Sequence, residues 1–442
     1  MIPMDGREKQ SISLLPILLV NFIGSLGFSI VLPFLVFLVT RFSGNSLLFG
    51  LMAAVYPFFQ LIGAPLLGKW SDRYGRRRIL LLSQAGTTCA WLLFIIALFL
   101  PVTSLIEIDT TFFGLFFISI PFILIIIARA LDGITGGNIS VANAYIADVS
   151  TAKTRKKNFG RMAVSSTIGF VVGPALAGIL GATIYKELLP VIVALSISMV
   201  ALFLIIFYLP ESKACTQNKA PEKKGFRKLF GFQIKDCYQE NKQKQIRLKN
   251  VLSLPHVPFL LFLTFLIFLG FNFFYTAFPI HAAETLNWSI PDLGFFFVVL
   301  SGMMAIVQGP ILGKIGERVS DSKLIIIGGI ILGTNFLLLL SLNTVIVYIA
   351  ALLFAVGNGL MWPSFLSFLS NIAGDTYQGA VQGFSSSFGS IASILGLISG
   401  GLLYASINQQ TFLLSALIIY SVVGLSFLLI KIENQDEKVS YQ

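Results

Sequence analysis

Apolar segments long enough to cross a lipid bilayer as helices dominate this chain of 442 residues. A hydrocarbon core about 30 Å thick requires roughly 20 apolar residues for each helical crossing. Hydrophobic residues make up 56% of the chain and charged residues only 12%, which leaves too little polar surface for a soluble fold. We therefore predict an all-α membrane protein with twelve transmembrane helices. The segments run near 12–40, 48–68, 78–100, 116–147, 159–182, 187–209, 256–281, 291–313, 323–342, 345–371, 378–406 and 411–431.

A short charged sequence occurs twice, once in each half of the chain. GKWSDRYGRRR at 68–78 returns in altered form as GKIGERVSDSK at 313–323, and each copy lies between two apolar segments. Parallel repeats about an axis along the membrane normal are typical of many carriers. The one long polar stretch separates the repeats. We predict two pseudo-symmetric six-helix bundles over 1–209 and 253–442, joined by a cytoplasmic linker over 210–252.

Basic residues fall almost entirely on one side of the predicted membrane. With a cytoplasmic amino terminus, 28 of the 31 Lys and Arg residues are cytoplasmic; Arg41 and Lys186 lie on the other side and Arg129 lies within the membrane. This asymmetry follows the positive-inside rule and predicts both termini in the cytoplasm, here of a bacterium with the protein in its inner membrane. The net charge of +11 is thus an orientation signal, and no nucleic-acid partner is predicted.

Three motifs carry a resemblance to a known family. They are the loop sequence at 68–78, ARALDGITGGNISVANAYIAD at 128–148, and GRMAVSSTIGFVVGPALAG at 160–178. They resemble the major facilitator superfamily, and most of all its tetracycline-resistance-like drug:proton antiporters, over nearly the whole chain. The resemblance implies transport by alternating access. The third motif, which has Ala177 where glycine is usual, leans toward export; its positions in register are Gly169, Gly173, Pro174 and Gly178.

The charged loops are predicted to form a latch between the two halves. Gly68 and Gly75 permit a tight turn, and an ionised Asp72 at the lipid edge requires a partner. The resemblance implies that Asp72 meets the start of helix 11 near 376–379, and the repeat places Glu317 near the start of helix 5. Alternatively, these charges only set topology and loop shape. The remaining latch residues are Arg73, Arg76, Arg318 and Asp148, of which Asp148 is expected to pair with bases such as Arg76.

Helix 4 carries a charged pair deep in the membrane. Asp132 lies near the middle of its segment and Arg129 one turn away. A charge at the bilayer centre costs roughly 2.5 to 3.5 kcal/mol on insertion scales and normally faces a cavity or a partner. We expect Asp132 to bind and release a proton as its exposure and its distance from Arg129 change. The alternative is a permanent ion pair that holds helix 4 in the bundle.

Helix 1 departs from the pattern that the chain resembles. Proton-coupled relatives commonly carry an acid nine residues before the proline that here is Pro33, but this chain has Gly24 there and Asn21 one turn earlier. Either the proton-binding carboxylate has moved to helix 4, or the protein is not coupled in the familiar way.

Polar residues at membrane depth are the predicted substrate-binding set. Repeat transporters bind substrate near the midplane between their halves, which predicts a cavity lined by helices 1, 4, 7 and 10 and their neighbours. For any single residue the alternative is a helix-to-helix hydrogen bond, because an unpaired amide is costly in lipid. The set comprises Asn21, Gln60, Asn138, Asn143, Asn272, Tyr275, Gln308, Asn335, Asn358 and Trp362.

The sequence contains no GxxxxGK[ST] loop, no HExxH and no cysteine cluster. We therefore predict no enzyme, no catalytic or metal-binding residues and no cofactor. The predicted function is proton-coupled efflux of a small, partly apolar organic compound, of the kind that gives multidrug resistance, by a monomer surrounded by membrane lipid. One alternative is a transporter of a specific metabolite or siderophore, in either direction and with or without coupling. Another is a transporter-shaped receptor that binds without flux.

Overall fold

The computed structural model describes residues 13–111, 114–150, 152–212, 248–316 and 318–440. The first half is helical except for one β-hairpin, and most of the predicted linker lies outside the described residues. Its helices and strands are α1 (Leu15–Ile30), α2 (Leu32–Ser43), α3 (Phe49–Tyr74), α4 (Arg76–Phe99), β1 (Ser104–Thr110), β2 (Gly114–Ser119), α5 (Ile120–Gly136), α6 (Asn138–Val149), α7 (Ala152–Gly181) and α8 (Leu188–Phe207).

In the second half, counted here from residue 248, helices are the only regular elements among the described residues. They are α9 (Leu248–Leu252), α10 (Val257–Glu284), α11 (Ile290–Ile306), α12 (Leu312–Ile315), α13 (Asp321–Leu338), α14 (Thr344–Ile407) and α15 (Thr411–Ser440). A π-helical turn, Val307–Ile311, joins α11 to α12, and Pro310 lies within it. The predicted helical membrane fold is confirmed, with the hairpin as an addition.

Ten helical stretches of the described chain are long and apolar enough to cross a membrane. The total becomes eleven when α1 and α2, which meet at an angle of 42°, are taken as one span. The predicted single helix at 12–40 is thus bent at Val31, two residues before Pro33, because proline cannot donate the backbone hydrogen bond of a regular helix. The predicted total of twelve stays a prediction, since the stretch Ala380–Glu433 counts once although it contains the break at Asn408–Gln410.

Two parts of α14 run in opposite directions along α10. In the first part Phe354 lies against Tyr275 and Trp362 against Phe268, so residue numbers rise in one helix as they fall in the other. In the second part Ser385 contacts Thr264 and Tyr404 contacts His281, so the numbers rise together. α14 therefore contributes two antiparallel passes, as the predicted segments 345–371 and 378–406 require.

The hairpin β1–β2 lies where the sequence predicts a loop followed by the start of helix 4. Its strands pair antiparallel, with Ile108 opposite Phe116 and Thr110 opposite Gly114. It is fixed to the first half by Ser119, which donates to the Phe42 carbonyl at 2.6 Å and caps α5. Helix 4 thus begins at Ile120 rather than near 116, and it is interrupted at Gly137 between α5 and α6.

The two halves meet at the helix ends that lie away from the charged loops. An added Cβ at Gly294 of α11 would lie 2.5 Å from the Gly178 Cα of α7, and one at Gly50 of α3 would lie 2.4 Å from the Leu397 carbonyl oxygen of α14. We call this end of the molecule the closed end. The opposite end, which holds 68–78 and 313–323, is the loop end. Small residues let the backbones of the two halves approach this closely.

Candidate functional site

Helix 4 is positioned by close backbone contact with α3. An added Cβ at Gly63 would lie 2.1 Å from the Ile134 carbonyl oxygen, and one at Gly137 would lie 2.4 Å from the Ala64 nitrogen. Glycine is needed on both sides because any side chain would separate the two helices. This contact fixes the face of α5 that carries Asp132.

Arg129 and Asp132 form a close but incomplete ion pair. Their side chains are 4% and 12% exposed, and Arg129 Nη1 lies 3.7 Å from Asp132 Oδ2, which is too long for a hydrogen bond. Nε and Nη1 of Arg129 have no hydrogen-bond partner among the described residues. The guanidinium carbon instead lies 4.8 Å from the centre of the Tyr56 ring. A buried ion pair compensates for its desolvation only when its hydrogen bonds are complete, so this geometry is unlike that of a purely structural pair.

Asp132 lines a cavity of about 180 Å³ whose described walls come entirely from the first half. Most of the walls are apolar, with Phe28, Trp91 and Phe170 among them, and a few polar groups converge on the space. Mixed walls of this kind are typical of sites for small organic ligands. The polar lining residues are Asn21, Ser25, Tyr56, Gln60, Gln84, Thr87, Asn138 and Ser198.

Three of the lining amides also tie helices together. Asn21 Nδ2 donates to Ser166 Oγ at 2.7 Å, joining α1 to α7. Gln60 Nε2 donates to the Gly136 carbonyl at 3.1 Å, and Gln84 Nε2 donates to Ser198 Oγ at 2.8 Å. These amides are therefore satisfied by neighbouring helices while still facing the cavity.

The predicted substrate residues do not form one group. Asn21, Gln60 and Asn138 line the first-half cavity, whereas Asn143 of α6 is exposed and is not among its lining residues. The other six lie in the second half and do not line that cavity either. They are Asn272, Tyr275, Gln308, Asn335, Asn358 and Trp362.

Most of the second-half residues contact neighbouring helices. Asn272 Nδ2 donates to Ser393 Oγ at 3.0 Å, and Asn335, with its amide nitrogen toward Ala350, donates to that carbonyl at 2.8 Å. Tyr275 and Trp362 pack against other aromatic rings.

Asn358 contacts the last turn of α11. Its Nδ2 atom donates to Met304 Sδ at 3.3 Å. Its buried Oδ1 has no partner among the described residues. Gln308 belongs to the π turn and lies beside Gly359.

The first charged loop is held together by its own half. Arg76 Nη1 lies 2.6 Å from Asp72 Oδ1, and the predicted pairing of Asp148 with Arg76 is present at 3.0 Å between Oδ2 and Nε. Asp72 remains 58% exposed. Gly75 has φ of 96°, a left-handed value that favours glycine, whereas Gly68 has only Ser140 near its added Cβ. The Arg73 guanidinium lies over the Tyr74 ring.

The predicted contacts between the loops and the other half stay predictions. Glu317 lies outside the described residues, as do the side chains near 376–379 except that of Tyr377. Arg318 donates its backbone N–H to the Ile315 carbonyl at 2.9 Å, within its own loop.

One acid at the end of each half was missed by the sequence analysis. Glu211 accepts hydrogen bonds from the backbone nitrogens of Arg76 and Arg77 at 2.7 and 3.2 Å, where an anion complements the start of α4. In the second half Glu433 likewise accepts a hydrogen bond from Ser322 at the start of α13. The structural repeat therefore extends to the last helix of each half.

The glycines of the fifth-helix motif divide into two contacts. Gly169 and Gly173 of α7 pack against α1, where an added Cβ at Gly173 would lie 2.0 Å from Ser29 Oγ. Pro174 lies inside α7, and Gly178 forms the closed-end contact with α11. The motif therefore supplies two kinds of contact, one within the first half and one between the halves.

The Major Facilitator Superfamily model matches residues 17–397 and, in a second match, residues 260–441. The chain belongs to the major facilitator superfamily. The resemblance to its tetracycline-resistance-like members is confirmed as well. Tetracycline resistance protein, class D, of Salmonella ordonez is 25% identical over 397 residues, covering 89% of each chain. Multidrug resistance protein 1 of Bacillus subtilis (strain 168) is 29% identical over 412 residues, covering 90% of this chain and 91% of the relative.

Solved structures of the superfamily share the transporter's fold. The human organic anion transporter MFSD10 (TETRAN) matches with a TM-score of 0.65 at 21% identity, covering 95% of this chain and all of that one. A D-xylose-proton symporter matches with a TM-score of 0.68 at 16% identity, covering 93% and 98%. The transporter is therefore an integral membrane protein built like other carriers of small molecules.

Five polar residues that line the transporter's cavity were not predicted from the sequence. They are Ser25, Tyr56, Gln84, Thr87 and Ser198, and all lie inside apolar segments. The Thr87 hydroxyl also shares a hydrogen bond with the Thr135 hydroxyl at 3.0 Å, which joins α4 to α5. A signal was present, because Gln84 and Thr87 are polar residues spaced to share one face of α4. Which helix that face meets could not be read from the spacing.

Proposed function

We propose that the transporter exports a small, partly apolar organic compound in exchange for protons by alternating access. We place it as a monomer in the inner membrane of a bacterium, with both termini in the cytoplasm. In this proposal the bundles 1–209 and 253–442 tilt against each other, and the linker 210–252 is their tether.

The observation that carries the proposal is the position of Asp132. Its carboxyl group lies within a membrane-spanning segment on the wall of the cavity. The Arg129 guanidinium is 3.7 Å away, and its Nε and Nη1 have no hydrogen-bond partner among the described residues. An intramembrane acid that faces a cavity is by default a functional group. The relatives are tetracycline and multidrug resistance proteins, which supports export of partly apolar compounds.

In the proton step, a proton and the Arg129 guanidinium compete for the Asp132 carboxyl group. With the proton absent, Asp132 is an anion beside Arg129. A compound in the cavity then meets the charged Asp132 carboxylate in the cavity wall. With the proton bound, the attraction between the two side chains is lost and Arg129 retains only its contact with Tyr56. Substrate and proton thus favour different charge states of the same cavity, and a difference in binding of this kind can couple two ligands.

The test is flux measured with the full-length transporter in sealed vesicles that contain a pH dye. Tetracycline and a lipophilic cationic dye serve as probes. We expect probe movement to be accompanied by lumenal pH change. Asp132→Asn should abolish movement driven by a proton gradient while the probe still raises the unfolding temperature, because ligand binding stabilises the folded state.

Asp109→Asn is the matched control, since Asp109 is exposed on the hairpin. Full gradient-driven flux in Asp132→Asn would refute the assignment of the proton site.

Uncoupled movement of a specific metabolite or siderophore is the second candidate. It is favoured by Gly24, which lines the cavity at the helix 1 position where proton-coupled relatives commonly carry an acid. Flux without lumenal pH change would support it. Probe binding without any flux would instead indicate a receptor.

A further inference from the structure

A pocket of about 430 Å³ lies at the closed end, between the ends of α2 and α4 and the turn before α8. We propose that it binds the headgroup of an anionic phospholipid from the adjoining leaflet. Arg41, Phe99, Tyr185, Lys186 and Glu187 are among its lining residues. The pocket is separate from the Asp132 cavity and shares no lining residue with it.

The pocket brings together two rare charges. Among the Lys and Arg residues that the structure describes, only Arg41 and Lys186 lie at the closed end. They are far apart in the sequence, yet both line this one pocket. The two described basic residues of the closed end therefore lie in the same pocket.

The charges in the pocket favour an anion. Arg41 Nη1 lies 3.8 Å from Glu187 Oε2, beyond hydrogen-bond distance, and the Arg41 side chain is 51% exposed. At this distance, and with Arg41 half exposed to solvent, the buried Glu187 carboxylate neutralises that cation only in part. No carboxylate among the described residues forms an ion pair with Lys186. Two cations against one acid leave a net positive site, and a phosphate group can accept from both.

The backbone at Lys186 is held in an unusual conformation. Its φ of 44° lies in the left-handed region, which residues with a side chain rarely adopt. The turn is fixed by hydrogen bonds from Lys186 N to the Thr183 carbonyl and from Leu188 N to the Tyr185 carbonyl, both at 3.0 Å. Strained residues persist where the surrounding structure holds them, and they are common in ligand clamps.

Exposed apolar side chains lie on α4 and α8, the two helices whose ends border the pocket. On α4, Leu92, Ile96 and Phe99 are exposed and spaced to lie on one face. On α8, Ile192 and Met199 are exposed in the same way, and the two helices are joined by the hydrogen bond between Thr88 and Ser198. Acyl chains would pack against these side chains while the phosphate lies in the pocket. A soluble anion would make no such contacts, and this favours a lipid.

The test is a titration of the full-length, detergent-solubilised transporter with phosphatidylglycerol, followed by native mass spectrometry and thermal unfolding. Phosphatidylcholine and inorganic phosphate form the comparison arms. Lys186→Asn removes the charge but keeps a residue that tolerates the left-handed backbone. We expect this variant to bind phosphatidylglycerol roughly fivefold more weakly, as loss of one basic residue at an anionic lipid surface predicts.

Lys431→Asn, which removes an exposed base at the loop end, is the matched control and should bind like the parent. Lys186→Gly removes the same charge and adopts the left-handed backbone without strain, and it should weaken binding too. Unchanged phosphatidylglycerol affinity in Lys186→Asn, or in Lys186→Gly where Lys186→Asn does not fold, overturns the proposal. Equal binding of phosphatidylcholine overturns it as well. A further outcome is that inorganic phosphate raises the unfolding temperature as much as phosphatidylglycerol does and that Lys186→Asn abolishes this rise. This outcome would overturn the lipid proposal and identify the ligand as a soluble anion.

Discussion

Asp132 and Arg129 attract each other across 3.7 Å without sharing a hydrogen bond. A small shift of α5 against its neighbours therefore changes their interaction strongly, because Coulomb energy in a poorly polarisable interior depends on distance and on access of water. The contacts of Gly63 and Gly137 with the opposing backbone transmit such a shift directly.

An aspartate introduced on helix 1 should take over proton binding from Asp132 on helix 4. Gly24 lines the same cavity, and an added Cβ there meets no atom within 4 Å, so an aspartate side chain has room. We expect Gly24→Asp to restore part of the gradient-driven flux that Asp132→Asn has lost, measured in vesicles. Gly24→Asn in the same background has the same size without the charge and should restore none. If both variants behave alike, a carboxyl group at this cavity is not what couples the proton.

At this scale the sequence predicted charged residues better than polar ones. Asp132 and Arg129 could be identified because a charge inside an apolar segment is costly wherever it points. Asn272 and Asn335 have the same polarity as Asn21, but they hydrogen-bond to neighbouring helices in the second half. The sequence alone does not distinguish an amide that lines a cavity from one that joins two helices.

The contact between α3 and α5 makes the position of helix 4 sensitive to a single methyl group. Gly63→Ala would place a carbon 2.1 Å from the Ile134 carbonyl oxygen, which is backbone and cannot rotate away. We expect the free energy of unfolding to fall by about 1–3 kcal/mol, the usual cost of overpacking. Thermal unfolding in detergent measures the loss.

Gly424→Ala is the control for the glycine change itself. An added Cβ at Gly424 meets nothing within 4 Å, and alanine is favoured over glycine in a helix by roughly 1 kcal/mol. This variant should be no less stable than the parent. Equal unfolding temperatures for Gly63→Ala and the parent would show that α3 and α5 can separate at little cost.

The hairpin shows what hydropathy misses at the scale of elements. Ile106 and Ile108 alternate with Glu107 and Asp109, which is the pattern of a strand. A search for membrane spans averages over such alternation and assigns the following apolar residues to a helix. Bounds near 116 and the unbroken course through Gly137 were therefore wrong, although the existence of helix 4 was predicted.

Joining the halves at the closed end should stop transport. Ser46 of the first half donates a hydrogen bond to Glu284 of the second, so these side chains touch across the boundary. We expect a crosslink between Ser46→Cys and Glu284→Cys to abolish vesicle flux and a reducing agent to restore it. The pair Ser322→Cys and Glu433→Cys is the matched control, because it joins a serine and a glutamate within one half. Unimpaired flux after complete crosslinking of the first pair would rule out tilting at this boundary.

We expect the predicted latch at the loop end to form in the opposite conformation. Here Asp72 pairs with Arg76 of its own loop and is largely exposed. We expect Asp72→Asn to leave the protein folded but to shift it toward the loop-end-open state, since the alternative state loses its charged contact. Labelling of a thiol at Gly313→Cys, where an added Cβ meets nothing within 4 Å, reports the shift. Asp109→Asn is the charge control, and equal labelling in Asp72→Asn and the parent would contradict a latch.

The repeat at 68–78 and 313–323 was enough to predict two related halves, because a charged turn between apolar segments fixes where helices end. It could not say which ends of the halves meet. Gly178 and Gly294 permit close approach, but a glycine does not specify its partner, and the two conformations of such a carrier share one sequence.

The buried carboxylates and guanidinium groups of the described chain all lie in the first half, at Arg76, Arg129, Asp132 and Glu187. The two bundles share one fold but are unequal in chemistry. In the proposed function the first bundle carries both the proton site and the cavity that it faces. Heritable variation in the second bundle can therefore accumulate without touching either.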